Sequence, residues 1–259
     1  MSIVLCEDRG PVRHVVLNRP AKRNALNDEL IGALGDAFAG AAADREVLCV
    51  VVRGAGPMFS AGLDFAALGA LAADPGRLHE VRRPILEAWN LLEAMSKPTI
   101  AQVHGACLGG AMELALACDL RTMAADAIIG LPETRVGLIP DVGGSSRLPS
   151  VVGLGRAKEL VMTSKLVDGT EAERIGLVNR VAPAAELDAA TEALVEELLA
   201  CGPVAVAHAK RVLDAAAKPA LAATLELEAT AQALCARTED FGEATRAFAE
   251  RRQPAFSGR

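Results

Sequence analysis

The chain lacks the features by which several classes of protein are recognised. Its net charge is −6 at pH 7, and without a basic excess it is not expected to have nucleic acid as its primary partner. Its six cysteines form no CxxC pair and have no metal-ligand spacing with the four histidines. No uncharged apolar run reaches the roughly 18 residues expected of a membrane span. These absences disfavour nucleic-acid-binding, metal-binding and membrane-spanning proteins.

The sequence also lacks the motifs of other enzyme classes. Residues 54–59 and 153–158 each begin with GxG, but neither has the third glycine of a dinucleotide-binding loop. No GxxxxGK[ST], HExxH or GxSxG sequence occurs, which disfavours nucleotide triphosphates, zinc hydrolysis and a serine nucleophile. His104, in VHGACLGG, is the one histidine worth weighing, and we expect it to be structural.

The cysteines and the first residues indicate a compartment. Most of the cysteines lie inside apolar runs, where a free thiol behaves as a small hydrophobic group. The chain begins with a strand-like pattern and has no basic and apolar segment typical of a signal peptide. We therefore expect a soluble protein of the reducing cytoplasm.

Length and periodicity predict an α/β fold. The chain has 259 residues, of which 51% are hydrophobic, enough for one large core. Ile3–Cys6 and Val12–Leu17 predict a hairpin across residues 8–10, and a helix is expected from about Asn27. The apolar runs at 47–52 and 100–103 are typical of buried strands. Strands that alternate with helices predict a mostly parallel α/β core.

The composition changes beyond Pro183 to alanine, leucine and glutamate at helical spacing. Residues 220–252 contain a single glycine and no proline. We therefore predict a core over 1–183 and a helical C-terminal region over 184–259. Its helices either pack on their own core or expose an apolar surface that an oligomer covers.

Two glycine-containing segments, MFSAGLDF (58–65) and ACLGGAMELALACD (106–119), carry the strongest functional signal. The glycines of the second segment precede a helical pattern, so Gly110 is expected at a helix N-terminus. The first amides of a helix have no intrahelical acceptor, and the helix dipole gives them partial positive charge. Gly62 lets the backbone approach a ligand closely. We predict that the N–H groups of Leu63 and Gly110 together hold an oxyanion.

Five blocks in one order resemble the enoyl-CoA hydratase/isomerase (crotonase) superfamily. They are LNRPAKRNAL (17–26), FSAGLD (59–64), LGGAMELALACD (108–119), LPETRVGLIPDVGGSSRLP (131–149) and AERIGLVNRV (172–181). The resemblance implies a spiral of ββα units and a helical C-terminal region that builds trimers, usually paired into hexamers. It implies an acyl-CoA thioester substrate, with CoA as part of that substrate and no metal or redox cofactor.

Glu113 and Glu133 match the positions at which hydratases of this superfamily carry glutamates. Hydration of a 2-enoyl thioester needs a water directed at C3 and a proton delivered to C2, which two carboxyl groups can supply. The resemblance implies that Glu113 orients the water and Glu133 exchanges the proton. Like charges in a partly buried site raise one of the two pKa values, which helps one glutamate to act as an acid.

Asp141 departs from the best-known hydratases, which have a small residue there. It resembles the acid of dienoyl-CoA isomerases, but it also precedes a predicted helix start, where its carboxylate could cap backbone N–H groups. Enoyl-CoA hydratase is therefore our first hypothesis and double-bond isomerase the second. A non-catalytic RNA-binding or scaffold protein is the third, disfavoured by the acidic balance.

The resemblance also implies the contacts to the substrate. The basic cluster of Arg19, Lys22 and Arg23 is expected to meet CoA, unless it is an ordinary solvated turn. The remaining predicted substrate contacts are Ala25, Ala61, Gly62 and Asp64. Candidates to line the acyl pocket, or merely to pack a helix, are Leu68, Leu71, Ile85, Leu86 and Trp89.

Overall fold

The computed structural model describes residues 2–64, 69 and 74–259, which form two β-sheets surrounded by helices. The strands of the larger sheet are, in spatial order, β1 (Val4–Arg9), β2 (Val12–Leu17), β3 (Cys49–Gly54), β4 (Thr99–Val103), β6 (Leu120–Ala124) and β9 (Arg180–Ala182). The smaller sheet contains β5 (Ala106–Leu108), β7 (Ile128–Gly130) and β8 (Val167–Asp168).

Strands β1 and β2 form the predicted hairpin, with a tighter turn than expected. Asp8 and Arg9 belong to β1 and pair with Arg13 and Val12, so that the turn contains only Gly10 and Pro11. Gly10 has φ 59°, a conformation that glycine adopts without steric cost. The other neighbours in the larger sheet are parallel, which confirms the mostly parallel core.

The chain alternates between the two sheets. After β4 it enters the smaller sheet as β5, and after β6 it enters that sheet again as β7. Each return adds the next strand to the same edge of the larger sheet, because parallel neighbours need a crossover connection. This is the spiral of repeated ββα units that the resemblance implied.

The described residues contain ten α-helices. They are α1 (Asp28–Ala43), α2 (Leu78–Ala94), α3 (Gly110–Ala117), α4 (Gly144–Val152), α5 (Leu154–Met162), α6 (Gly169–Arg174), α7 (Leu187–Leu199), α8 (Pro203–Ala217), α9 (Leu221–Cys235) and α10 (Glu239–Ala249). Helix α1 begins as expected, since the side chain of Asn27 accepts a hydrogen bond from the Leu30 N–H at 3.1 Å.

The helices beyond Pro183 confirm the helical character of the C-terminal part. Leu194 and Val195 of α7 pack against the larger sheet, in a buried cluster with Val51 and Ile100. Helix α9 reaches the predicted active site with two buried polar side chains, described below. The division at residue 183 into a core and a separate region stays a prediction. None of the described helices is long and apolar enough to cross a membrane.

Candidate active site

Three segments of the chain are joined by backbone hydrogen bonds around the predicted oxyanion hole. After β3, the Phe59 N–H donates to the His104 carbonyl at 2.9 Å. The Leu108 N–H donates to the Ser60 carbonyl at 3.2 Å, so the turn after β3 extends the edge of the smaller sheet. On the other side, the Leu26 N–H donates to the Gly62 carbonyl at 2.8 Å. The turn is thus fixed from both sides.

Gly62 sets the direction of the next amide. Its φ is 91°, and a Cβ at this position would lie 2.5 Å from the carbonyl oxygen of Leu108. Only glycine fits this close approach. The backbone nitrogen of Leu63 then lies 4.0 Å from the place where a Cβ of Gly110 would be. The two N–H groups predicted to hold an oxyanion are therefore neighbours, and within the described chain neither donates to an acceptor.

Gly109 and Gly110 form the start of α3. Gly109 has φ 55°, its N–H donates to the Gly130 carbonyl at 2.9 Å, and its carbonyl accepts from the Glu113 N–H at 3.1 Å. A Cβ on Gly109 would lie 2.8 Å from Oε1 of Glu133. Glycine at this position therefore lets the Glu133 carboxyl group approach the helix start.

Glu113 is buried on α3 and is held by the start of another helix. Its Oε1 accepts hydrogen bonds from the Val142 N–H at 2.9 Å and the Gly144 N–H at 2.8 Å. Burial raises the pKa of Glu113 well above its ordinary value, and the neighbouring acidic groups raise it further. The hydrogen bond from Gly144 acts in the opposite direction. The carboxyl group is thus fixed through Oε1 at the lining of the cavity described below.

Glu133 begins a short 3₁₀ turn, Glu133–Val136, across the cavity from α3. Its Oε2 is buried and has no hydrogen-bond partner among the described residues. Burial, followed by the charge of Asp141, raises the pKa of Glu133 to about 8. The raised pKa favours the protonated form of this carboxyl group, and buried unpaired polar atoms of this kind are concentrated at functional sites.

Asp141 does not cap the helix that follows it, so that alternative was wrong. The first amides of α4 instead donate to Glu113 and Glu228, two carboxyl groups from other helices. The carboxylate of Asp141 faces the cavity, with Nε of Arg82 3.7 Å from its Oδ2. Burial raises the pKa of Asp141 to about 7, although the Arg82 charge lowers it.

Glu228 is one of the residues that sequence reasoning missed, as it also missed Arg82 and Gln232 of the cavity lining. Glu228 lies buried on α9, and its oxygens accept from the Gly143 N–H at 2.9 Å and the Ser146 N–H at 2.7 Å. Burial raises its pKa, whereas these hydrogen bonds lower it. A signal was present in the sequence: Leu225, Glu228 and Gln232 have the spacing of one helix face, and acidic or amide groups on an otherwise apolar face need partners.

Glu113, Glu133 and Asp141 line one cavity of about 320 Å³, together with the glycine pair at the start of α3. Its polar lining residues are Arg82, Glu113, Glu133, Arg135, Asp141 and Gln232. Ile85 lines it as expected, whereas Leu86 and Trp89 pack in the hydrophobic core. Leu68 and Leu71 lie outside the described residues.

Some of the predicted substrate contacts line the cavity, and the others belong to the neighbouring loop. Ala61 and Gly62 line the cavity with Leu63, whereas Ala25 does not. Arg19 donates to the Ala25 carbonyl and lies 3.4 Å from the Asp64 carboxylate, so it stabilises the loop instead of extending into solvent.

Lys22 and Arg23 are exposed at the tip of this loop, where Arg23 has φ 53°. Nε2 of His104 lies 2.9 Å from the Gly56 carbonyl oxygen, and His104 is not part of the cavity lining, as expected of a structural histidine.

Comparisons with known proteins identify relatives of this chain. A model of the enoyl-CoA hydratase/isomerase family matches residues 7–259. A probable mitochondrial enoyl-CoA hydratase 2 of Arabidopsis thaliana is 36% identical over 94% of this chain and 81% of its own length. A short-chain-enoyl-CoA hydratase of Clostridium acetobutylicum is 35% identical over 98% of this chain and 97% of its own.

Solved structures extend the agreement to the fold. The crystal structure of an enoyl-CoA hydratase from Mycobacterium avium subsp. paratuberculosis has a TM-score of 0.88 and 31% identity, with 99% of each chain covered. The chain therefore belongs to the enoyl-CoA hydratase/isomerase family.

Proposed function

We propose that this protein adds water to a trans-2-enoyl-CoA thioester and forms a 3-hydroxyacyl-CoA. One observation carries the proposal: the N–H groups of Leu63 and Gly110, which have no acceptor among the described residues, meet the carboxyl groups of Glu113 and Glu133 at one cavity. The names of the relatives, which are enoyl-CoA hydratases, support the same reaction.

The two N–H groups would receive the carbonyl oxygen of the thioester. When a nucleophile adds to C3, negative charge develops on this oxygen, and two fixed donors stabilise it without reorganisation. Donors of this kind contribute about 2.7 to 4 kcal/mol each. The helix dipole of α3 acts in the same direction at Gly110.

The two glutamates would carry the proton transfers. Glu113, fixed by the start of α4, orients the water, whose oxygen bonds to C3 as its proton passes to the carboxyl pair. Glu133, whose raised pKa favours the protonated form, delivers a proton to C2 through the oxygen that has no partner among the described residues. The C2–C3 double bond becomes a single bond, and the pair ends with as many protons as it had. No metal or redox group takes part in this proposal.

An isotope experiment tests the proposal. The protein is incubated with crotonyl-CoA in ¹⁸O-labelled water, and the product is analysed by mass spectrometry. We expect one labelled oxygen in a 3-hydroxybutyryl-CoA product. Longer 2-enoyl-CoA and 3,5-dienoyl-CoA esters are assayed in parallel. A protein that moves double bonds without incorporating the label would not be a hydratase.

Double-bond migration is the second candidate, and the position of Asp141 favours it. The carboxyl group lies at the cavity, does not cap α4, and has a pKa of about 7, suitable for taking and giving a proton. Asp141→Asn should abolish isomerisation and spare the thermal midpoint. Isomerase and hydratase turnover are compared in both proteins, and a wild type that hydrates but never isomerises would eliminate this candidate.

Exposed basic groups support a proposal for the CoA portion. Lys22 and Arg23 lie at the exposed tip of the loop that is bonded to the turn at Ala61 and Gly62. We assign them to the phosphates of CoA, an electrostatic contact that salt weakens. Replacing both by glutamine should raise KM for acyl-CoA and leave kcat nearly unchanged.

The C-terminal helices support assembly into a trimer or a dimer of trimers. Large apolar side chains on α8 and α9 are about two-thirds exposed: Val204, Val212, Leu213, Leu227 and Leu234. Patches of this kind are typical of interfaces. Sedimentation of the wild type and of Val212→Glu/Leu213→Glu tests the proposal. A wild type that sediments as a stable monomer would contradict it.

A reducing compartment, the cytoplasm, is our proposal for the location. It rests on the six cysteines, all of them free, three of which are buried in the fold. Fractionation of the source cells, with the protein detected by antibody, tests it.

A further inference from the structure

The cavity has polar groups that no step of the proposed hydration uses. They lie where α2 and α9 meet the segment before α4: Arg82 comes from α2 and Gln232 from α9, with Asp141 beside them. Their neighbours on α2, Leu78 and Ile85, are apolar. An acyl chain made only of hydrocarbon would need apolar groups at all these positions.

Gln232 presents a hydrogen-bond donor to the cavity. The residue is only 3% exposed, and its Oε1 accepts from the Ile139 N–H at 2.9 Å. This bond fixes the orientation of the amide, because the opposite orientation would set the NH₂ group against another donor. The Nε2 group consequently points elsewhere, and no described residue accepts a hydrogen bond from it.

Arg82 presents a second donor. It is 5% exposed, and its Nε and Nη2 donate to the carbonyl oxygens of Asp141 and Leu225. Nη1 has no acceptor in the part of the chain that the structure describes. Nε lies 3.7 Å from Oδ2 of Asp141 and Nη2 lies 3.8 Å from Oε2 of Glu228, so neither carboxylate forms a direct hydrogen bond with these two nitrogens. Arg82 is thus held in place with one nitrogen free.

Unsatisfied donors in a small cavity select against a purely apolar ligand. A hydrocarbon chain would remove water from these groups and give no hydrogen bond in return, which is unfavourable. An oxygen atom on the acyl chain would restore the lost bonds. A carboxylate at this place would add a fourth carboxyl group beside those of Glu113, Glu133 and Asp141, and the guanidinium of Arg82 already has two acidic neighbours. An uncharged oxygen therefore fits best.

We propose that the preferred acyl group carries a hydroxyl or keto oxygen, which accepts hydrogen bonds from Nε2 of Gln232 and Nη1 of Arg82. The inference rests on the proposed function, since it assumes that this cavity receives the acyl part of an acyl-CoA. It narrows the substrate class to short acyl groups with a neutral oxygen, because a cavity of about 320 Å³ is near the lower end of ligand pockets.

Binding of saturated acyl-CoA esters tests the inference without requiring turnover. Hexanoyl-CoA is compared with 5-hydroxyhexanoyl-CoA, 6-hydroxyhexanoyl-CoA and the carboxylate-ended adipoyl-CoA by isothermal titration calorimetry. We expect at least one hydroxy ester to bind about tenfold more tightly than hexanoyl-CoA. The inference is overturned if neither hydroxy ester binds more tightly, or if adipoyl-CoA binds best.

Variants of Gln232 locate the effect. Gln232→Met should remove most of the preference for the hydroxy ester, and Gln232→Glu should do the same while it keeps an oxygen for the Ile139 N–H. Thr230→Met changes an exposed position of the same helix and serves as the control. The ratio of the two affinities within each variant is insensitive to the folded fraction. A preference that survives both Gln232 changes would also overturn the inference.

Hydration of the matching 2-enoyl esters is measured separately. Absence of hydration with every ester contradicts the proposed function, whereas the binding ratios still decide the inference. Hydration of all esters without any difference in binding contradicts the inference and leaves the proposed function standing.

Discussion

Two helices in this protein begin at a glycine pair, but their first N–H groups have different uses. Helix α3 begins after Gly109 and helix α4 after Gly143, and neither first turn is capped by a nearby side chain. At α3 the N–H of Gly110 has no acceptor within the described chain. At α4 the first amides are occupied by the carboxyl groups of Glu113 and Glu228. A glycine pair before a helix thus does not by itself indicate a ligand site.

The two helix starts also depend on one another. Glu113 belongs to α3, and its Oε1 accepts two N–H groups from the segment that begins α4. The start of α4, here called the filled start because carboxyl groups occupy its first amides, fixes the carboxyl group that we propose to orient water. The start of α3, here called the open start because the Gly110 N–H has no acceptor among the described residues, provides the donor for the thioester oxygen. The difference shows how one pair of similar motifs can serve positioning and binding at once.

The largest expected effect comes from the carboxyl groups between the two starts. Glu113→Gln and Glu133→Gln should each lower kcat for crotonyl-CoA by about 10²- to 10⁴-fold, because a side-chain amide cannot act as a general acid or base as a carboxyl group does. Glu113→Gln keeps an acceptor for the α4 amides, so its thermal midpoint should change little. The exposed Glu186→Gln is the control. Losses below about fivefold in both variants would contradict the proposed chemistry.

The next effect separates the open start from the filled one. Gly110→Pro removes the N–H at a position where proline is tolerated, and kcat should fall about 10²- to 10³-fold. Gly110→Ala keeps the N–H, and its Cβ would make ordinary contacts at 3.5 Å with Leu26 and 3.6 Å with Leu63. Steady-state kinetics of the two variants decides the matter. Equal losses would show that the Gly110 N–H does not bind the thioester.

At the filled start the expected effect is on stability. Glu228→Ala leaves the N–H groups of Gly143 and Ser146 without acceptors and should lower the free energy of unfolding by about 1 to 3 kcal/mol. Glu228→Gln retains one acceptor and should cost less. Thermal unfolding measures both. If alanine costs no more than glutamine, the carboxyl group is not what holds α4 in place.

The last expected effect is a pH dependence of stability. Folding raises the pKa of Glu133 from about 4.5 to about 8, so the folded state binds this proton more tightly. Its stabilising contribution is present in full below pH 4.5 and is lost as the pH rises to about 8. The glutamine of Glu133→Gln does not titrate. The thermal midpoint of this variant, measured relative to that of the wild type, should therefore be a few degrees higher at pH 8.5 than at pH 5. Equal differences at both pH values would contradict the raised pKa.

Several features were predictable from the sequence because they depend on residues that are close together along the chain. The β1–β2 hairpin, the start of α1 at Asn27 and the helix start at Gly110 follow from turn residues, capping and periodicity, and the structure confirms them. The motif blocks gave the family as well, since their order along the chain is itself a feature of the sequence.

Only the tertiary structure determined which N–H and carboxyl groups of the described residues have no hydrogen-bond partner. Val142 and Glu113 are 29 positions apart in the chain, and Gly143 and Glu228 are 85 apart. Local patterns contain no information about such partners, so a helix cap was wrongly considered for Asp141 and Glu228 was missed. Whether a donor or a carboxyl group is free depends on what packs against it, and packing is determined only when distant segments meet.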